Sequence, residues 1–344
     1  MPKPNHILVI RLSAMGDVAM TVPVLRVVAQ TYPELLLTVV SRRLFQPLFA
    51  DIPNVQFLEA DVYGKHKGLF GLIKLAKEAR ALGIDAVADL HNVIRSKTLS
   101  RNLSFRGVAS ATINKGRAEK KKLVNSKGMG LVQLKSTHER YAEVFATLGF
   151  PIDLRQHQFP ERKSLSPRLH SLIGSEPKKC IGIAPFAAYK SKMYPLEMTE
   201  KVIETLDASQ RYRLMLFGGG KEEVDELKRW EGQYTSVTNI AGTLPFEEEL
   251  NLISNLDLML SMDSANGHLA ALFGIPVITL WGVTHPYAGF VPFGQPADNQ
   301  LMADRNQYPL IPTSIYGNKV PEGYEDTMAT ISTEEIVEKI LATI

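Results

Sequence analysis

Residues 256–282 read as an apolar run, a cluster of small polar residues, a helical pattern and a second apolar run ending at Gly282. The first run (Leu258, Met259, Leu260) is too short for a helix and predicts a buried strand. Asp263-Ser264-Ala265-Asn266 supplies residue types that cap a helix N-terminus. Small apolar residues over 267–273 predict a helix packed closely on a sheet. Gly274 closes it, Pro276 prevents its continuation, and 277–280 is the next strand. A strand–helix–strand unit of this kind aims a polar helix start off the strand's carboxyl end. In open parallel sheets that is where ligands bind, and its free N–H groups suit an anion.

The same alternation runs through most of the 344 residues. Strands are predicted at 7–10, 35–40, 55–58 and 86–90. Helices are predicted at 18–32, with Pro23 near its start, and at 43–49, 71–82 and 137–148. The strand-to-helix turn carrying Gly16 puts Asp17 at a helix N-terminus, and Asp89-Leu90-His91-Asn92 puts polar groups at another strand's carboxyl end. Residues 151–179 read as a connection. The pattern then restarts with strands at 180–184 and 213–217, a polar loop at 185–195, and helices ending near 206 and covering 221–230 and 246–256. Residues 284–324 read as loop. Ser332 with Glu335 reads as a capping box opening a last helix. This organisation predicts two doubly wound α/β domains with a cleft between them. The expected ranges are 1–165, 166–325, and a final helix in 326–344 packing back on the N-terminal domain.

Composition excludes several classes. The single cysteine, Cys180, rules out a disulfide framework and reads as an inert core thiol. No apolar segment approaches the roughly 20 residues of a membrane-spanning helix. A strand beginning almost at the N-terminus predicts no signal peptide and a cytoplasmic protein. From Arg95 to Lys135 there are 11 Lys or Arg against one acidic residue, Glu119. That segment is either a solvated loop or a face attracted to phosphates of an anionic lipid or nucleic acid. Its one aromatic, Phe105, disfavours base stacking and hence nucleic acid.

Gly218-Gly219-Gly220 lacks dinucleotide-fingerprint spacing. There is no Walker A sequence, no G-x-S-x-G, no metal-spaced histidine pair and no D-x-D. His268 lies four residues past Ser264, on the same helix face, and is either a helix-surface histidine or a donor to a bound anion. Asp17 reads, from its place at a helix N-terminus, as a helix cap.

Residues 7–26, ILVIRLSAMGDVAMTVPVLR, resemble the N-terminal signature of the ADP-heptose lipopolysaccharide heptosyltransferases, glycosyltransferase family 9. Residues 261–286, SMDSANGHLAALFGIPVITLWGVTHP, are similar to that family's donor-binding signature. Lys192-Met193-Tyr194-Pro195 resembles its Lys-x-Trp-Pro element, and residues 217–222 its nucleoside-contacting segment. The resemblance implies a GT-B fold, two Rossmann-like domains facing across a cleft, with donor sugar-nucleotide in the C-terminal half and acceptor in the N-terminal half. It implies inverting, metal-independent transfer of heptose or a related sugar from an ADP-sugar to a lipopolysaccharide inner-core or other lipid-linked acceptor. No cofactor is expected, and the location would be the inner face of the inner membrane.

By that resemblance Asp17 is the general base and Lys192 the cation facing the leaving diphosphate. Gly16, Glu222, Asp263, Ser264, Ala265, Asn266, Gly267 and His268 would bind donor, Asp263 through sugar hydroxyls and Glu222 through ribose. Ser13, Met15, Arg95 and Lys97 would meet the acceptor, the basic segment reaching its phosphates. Two positions depart from the pattern. Ala187-Ala188 stands where a hydroxyl pair is usual, leaving Tyr189 or Ser191 to supply those bonds, and Ala265 stands where Gly is common. Both bear on which donor is used. A sugar-nucleotide epimerase or hydrolase, and a non-catalytic nucleotide- or lipid-binding protein of the same fold, are the competing readings.

Overall fold

The computed structural model describes residues 3–105, 107–174 and 176–344. The chain forms two compact units, one of Met1–Gly116 with Lys135–Gln158, the other of Arg117–Leu134 with Phe159–Ile344. The first unit therefore ends at Gln158, short of the expected 165, and Arg117–Leu134 from within that range belongs to the second.

In the first unit the elements are β1 (His6–Ile10), α1 (Met15–Ala19), α2 (Thr21–Thr31), β2 (Leu36–Ser41), β3 (Val55–Glu59), α3 (Gly68–Ala81), β4 (Ala86–Asp89), α4 (Ile94–Ser104) and β5 (Ala109–Thr112). After α5 (Arg117–Asn125), which is part of the second unit, α6 (Thr137–Thr147) returns to the first. All strand pairs are parallel, in the order β3-β2-β1-β4-β5. β1 is wholly buried, as expected of a strand covered on both faces. Leu8, Ile10 and Val87 face a core that α3 and α4 close with Leu75, Ala76, Leu99 and Leu103. The chain builds β1-β2-β3 outward, then returns to add β4 and β5 on the other side of β1. The gap between β1 and β4 is thus the point where strand order reverses.

The second unit holds α7 (Pro167–Ile173), β6 (Lys179–Ala184), α8 (Leu196–Ala208), β7 (Tyr212–Leu216), α9 (Lys221–Gln233), β8 (Val237–Asn239), α10 (Phe246–Ile253), β9 (Leu258–Met262), α11 (Ala265–Ala271), β10 (Val277–Trp281), β11 (Gln300–Met302) and α12 (Thr333–Thr343). Its sheet, also parallel, runs β11-β10-β9-β6-β7-β8, so its reversal lies between β6 and β9. Ile336 and Ile340 of α12 lie in this unit's core beside Val202, Ile203 and Leu206 of α8. The last helix is therefore built into the second unit. Ser332 Oγ accepts from the Glu335 backbone N–H at 3.1 Å, one half of the predicted capping box. Cys180 is buried, and burial pushes its thiol up to about 11, which makes it inert.

Four expectations need correction. The single helix at 18–32 is two, α1 and α2, divided at Met20 ahead of Pro23. The basic segment is no loop, since it contains α4, β5 and α5. Within the second unit the Lys120 ammonium lies 3.9 Å from the Phe290 ring centroid, and Leu134 N–H bonds the Tyr287 carbonyl at 3.0 Å. The segment is also divided between the units, 117–134 belonging to the second and the rest to the first. Finally, Ser264 occupies the N-cap of α11 without capping through its side chain; Ser261 Oγ accepts from Gly267 N–H instead.

Candidate active site

Each sheet presents polar side chains at the carboxyl edge of the strands flanking its reversal. In the first unit these follow β1 and β4. Arg11, the residue after β1, is buried, and its Nη1 donates to the Leu90 carbonyl at 2.9 Å. Its Nη2 forms a short ion pair with Asp17 Oδ2 in the first turn of α1. The Asp17 carboxylate remains about one-third exposed, so it is held on one side and open on the other. The buried Tyr141 hydroxyl donates to the Asp17 carbonyl at 3.2 Å, and burial raises that phenol well above its ordinary value.

Beyond β4 the turn is built around Asp89. Its Oδ1 accepts from His91 N and Asn92 N at 2.9 and 2.8 Å, and its Oδ2 from Ser96 Oγ at 3.0 Å. These bonds satisfy a fully buried carboxylate. His91 Nδ1 accepts from Leu12 N at 3.4 Å, assigning the ring proton to Nε2. Burial, with the Arg11 and Lys115 charges behind it, pulls His91 down to about 3, so the imidazole is neutral.

In the second unit the corresponding groups follow β6 and β9. Lys192 ends a short 3-10 turn, Lys190–Lys192, and its Nζ lies 2.9 Å from Asp263 Oδ2. Thr284 Oγ1, beyond β10, donates to the same oxygen at 3.1 Å. Both partners of the ion pair are largely buried. Two glycines make room for the turn. A Cβ on Gly282 would stand 2.9 Å from the Ser191 carbonyl oxygen, and one on Gly317 would stand 2.5 Å from the Lys192 side chain. Gly317 also has φ +82°, a conformation side chains resist. Tyr194 anchors the chain just past Lys192, its hydroxyl donating to the Ile331 carbonyl at 2.7 Å.

The residues expected to bind donor do not all share one environment. Asp263 sits with Lys192, while Ser264, Ala265 and Asn266 are half-buried along the first turn of α11. Gly267 and His268 are buried, so His268 is not a helix-surface histidine. Glu222 is exposed on α9; its neighbour Glu223 reaches the glycine loop, accepting from Gly219 N at 2.7 Å. Ser13, Met15 and Gly16 are half-buried in the turn leading into α1, with Asp17, and Arg95 and Lys97 are exposed in the first turn of α4. Arg11, Thr284, Gly317 and Glu223 were not among the sequence candidates, and His91 was named only as part of the polar turn after its strand. Arg11 carried a signal, being a lone cation ending an apolar strand beside Asp17. Gly317 lay in an undifferentiated loop. Among the described residues no group of three or more His, Cys, Asp or Glu side chains is placed to hold a metal ion.

Comparison with known proteins follows this geometry. The family model described as glycosyltransferase family 9 (heptosyltransferase) matches residues 72–313. The lipopolysaccharide core heptosyltransferase OpsX of Haemophilus influenzae is 23% identical over 295 residues, 82% of this chain and 80% of that protein. Lipopolysaccharide heptosyltransferase 3 of Escherichia coli is 28% identical over 285 residues, 78% and 80% of the respective lengths. The solved structure of E. coli heptosyltransferase WaaC with ADP-2-deoxy-2-fluoro heptose superimposes with TM-score 0.68 and 19% identity, covering 98% of this chain and 100% of that one. That likeness identifies the two-domain GT-B fold.

Proposed function

The chain belongs to glycosyltransferase family 9, the heptosyltransferase family, and from that membership we propose how it carries a heptose from ADP-heptose to a lipopolysaccharide core acceptor. The acceptor hydroxyl oxygen attacks the anomeric carbon as the bond from that carbon to the diphosphate oxygen breaks, inverting the centre. Asp17 takes the hydroxyl proton. A carboxylate pinned by Arg11 on one oxygen and open on its other side is suited to that task, because its orientation is set before the acceptor arrives. ADP leaves with the bonding electron pair, and the charge growing on its β-phosphate is met by Lys192. An ammonium has three N–H donors; one points to Asp263, leaving two for phosphate oxygens. The backbone N–H groups opening α11 add to the same field.

Asp263 Oδ2 receives both Lys192 and Thr284, leaving Oδ1 for a donor-sugar hydroxyl. With a fixed cation against the diphosphate, the reaction needs no metal, and a chelator should leave the rate unchanged. The acceptor's lipid anchor would hold the enzyme at the inner face of the inner membrane.

The observation that carries this reading is the buried Lys192–Asp263 pair at the reversal point of the second sheet. The test is transfer of heptose from ADP-heptose to a panel of lipopolysaccharide core acceptors. Wild-type chain should give the product, and Asp17→Asn should abolish it while binding ADP-heptose almost as tightly. Release of free heptose without product, or normal turnover by Asp17→Asn, would overturn the mechanism. A thermal-shift comparison in which UDP- or GDP-sugars stabilise the chain more than ADP-sugars would overturn the donor.

A further inference from the structure

In the first unit α3 and α4 lie side by side on one face of the sheet. α3 follows β3 and α4 follows β4, two parallel strands of that sheet, so both helices begin at the carboxyl edge. At those two beginnings large apolar side chains face solvent, with Arg95 and Lys97 exposed beside them. Leu69 is 61% exposed, Phe70 85% and Ile94 84%, with Ile73 one turn along α3 at 38%. Single exposed apolar residues need no explanation, but several gathered at one edge do. The two helices also carry Lys74, Lys77, Arg80, Arg95, Lys97 and Arg101 against one carboxylate, Glu78. That carboxylate is already engaged by His66 at 3.2 Å and Lys65 at 3.4 Å.

We propose that this edge is a membrane-docking surface, with Phe70, Leu69 and Ile94 inserting among the lipids of an anionic bilayer and the flanking Lys and Arg facing its headgroups. Charge complementarity selects that occupant. Aromatic and aliphatic tips with Lys74, Arg95 and Lys97 within about a turn of them match an anionic interface, where apolar groups reach the acyl boundary while ammonium and guanidinium groups stay among phosphates. A second copy of the chain would have to bring this cationic rim against its own likeness. The surface is at the same sheet edge as Asp17. Docking there would bring that carboxylate to the height at which a lipid-anchored saccharide leaves the bilayer. This last consequence rests on the transfer reading above; the docking itself does not.

The experiment is co-sedimentation of the full chain with vesicles of equal parts phosphatidylcholine and phosphatidylglycerol, and with vesicles of phosphatidylcholine alone. The chain should bind the mixed vesicles, release them as salt rises, and bind the neutral ones weakly. Phe70→Ser with Ile94→Ser should lower the partition coefficient by about a hundredfold, each lost side chain accounting for about tenfold. Lys74→Gln should lower it about fivefold. Both positions of the double variant are exposed, so its melting temperature should match wild type. On a soluble, delipidated acceptor the double variant should turn over normally, and on a vesicle-embedded acceptor it should be slowed. Equal vesicle binding by wild type and the double variant, or none by wild type, would overturn the proposal. So would a dimer that the same substitutions dissociate. Failure of wild-type transfer with vesicle binding intact would instead sink the transfer reading alone.

Discussion

Lys192 Nζ and Asp263 Oδ2 are 2.9 Å apart, with side-chain exposures of 13% and 9%, and each neutralises the other where neither could stand alone. Removing one member of a buried pair typically costs about 3–5 kcal/mol, because the survivor is left charged and unsolvated. Lys192→Met should therefore lower the melting temperature as well as donor affinity. Lys192→Met with Asp263→Asn should recover much of the stability and none of the activity. A double-mutant cycle read by denaturation and by ADP-heptose titration separates the two. Additive stability losses would mean the pair is not coupled.

Gly317 bears on the same lysine from outside its own turn. Alanine there meets both an unfavourable φ and the Lys192 side chain 2.5 Å away. Gly317→Ala should cost about 1–3 kcal/mol and raise the KM for donor. Gly323→Ala, also at positive φ but with open space around its Cβ, should cost stability and leave KM alone. Equal KM effects would show that displacement of Lys192 is not the cause.

What was readable in the sequence follows from how much each element buries. β1, β9 and β10 are fully buried, and their largely apolar runs announce them. α4 and α5 carry so much charge and bury so few apolar residues, Leu99 and Leu103 in one and Leu123 in the other, that no apolar periodicity emerges. β5, Ala-Ser-Ala-Thr, has no strand signal of its own and is a strand through pairing with β4. β8 and β11, three residues each, are too short to register. The α7 start was signalled by Ser166-Pro167 and overlooked amid prolines. At the site, Lys192 and Asp263 came from motif resemblance, but their contact depends on β6 and β9 being neighbours, a fact of strand order rather than of spacing.

Glu249 gives stability an unusual pH dependence. Burial on α10 pushes its carboxyl up to about 7 from 4.5. The folded chain then holds a proton that the unfolded chain releases, so stability is greatest below about pH 4.5 and falls as pH rises through 7. The loss above pH 7 is at most about 3 kcal/mol. Glu249→Gln should match wild type near pH 4.5 and melt higher near pH 8. A constant difference in melting temperature across that range would refute the assignment.

His91 acts in the opposite sense, and Arg11 is the lever on it. With its imidazole held at about 3, against 6.5 when unfolded, the folded chain refuses a proton that the unfolded chain accepts. The stability this supplies is complete above about pH 6.5 and is lost as pH falls toward 3, about 2 kcal/mol being gone at pH 5. Burial is the larger cause and the Arg11 charge the next. Arg11→Met should therefore raise the His91 titration, read by NMR from its ring protons, without restoring 6.5. The same substitution frees Asp17 from its ion pair and removes the bond to the Leu90 carbonyl. Turnover should fall at least about tenfold through lost orientation, with donor affinity little changed because Lys192 and Asp263, the side chains proposed to hold the diphosphate and sugar, lie in the other unit. Arg11→Lys keeps the charge but cannot bridge Asp17 and Leu90 with a rigid fork, so it should leave His91 low while still slowing transfer. An Arg11→Lys enzyme with full activity would mean that charge, and not geometry, is what Asp17 requires.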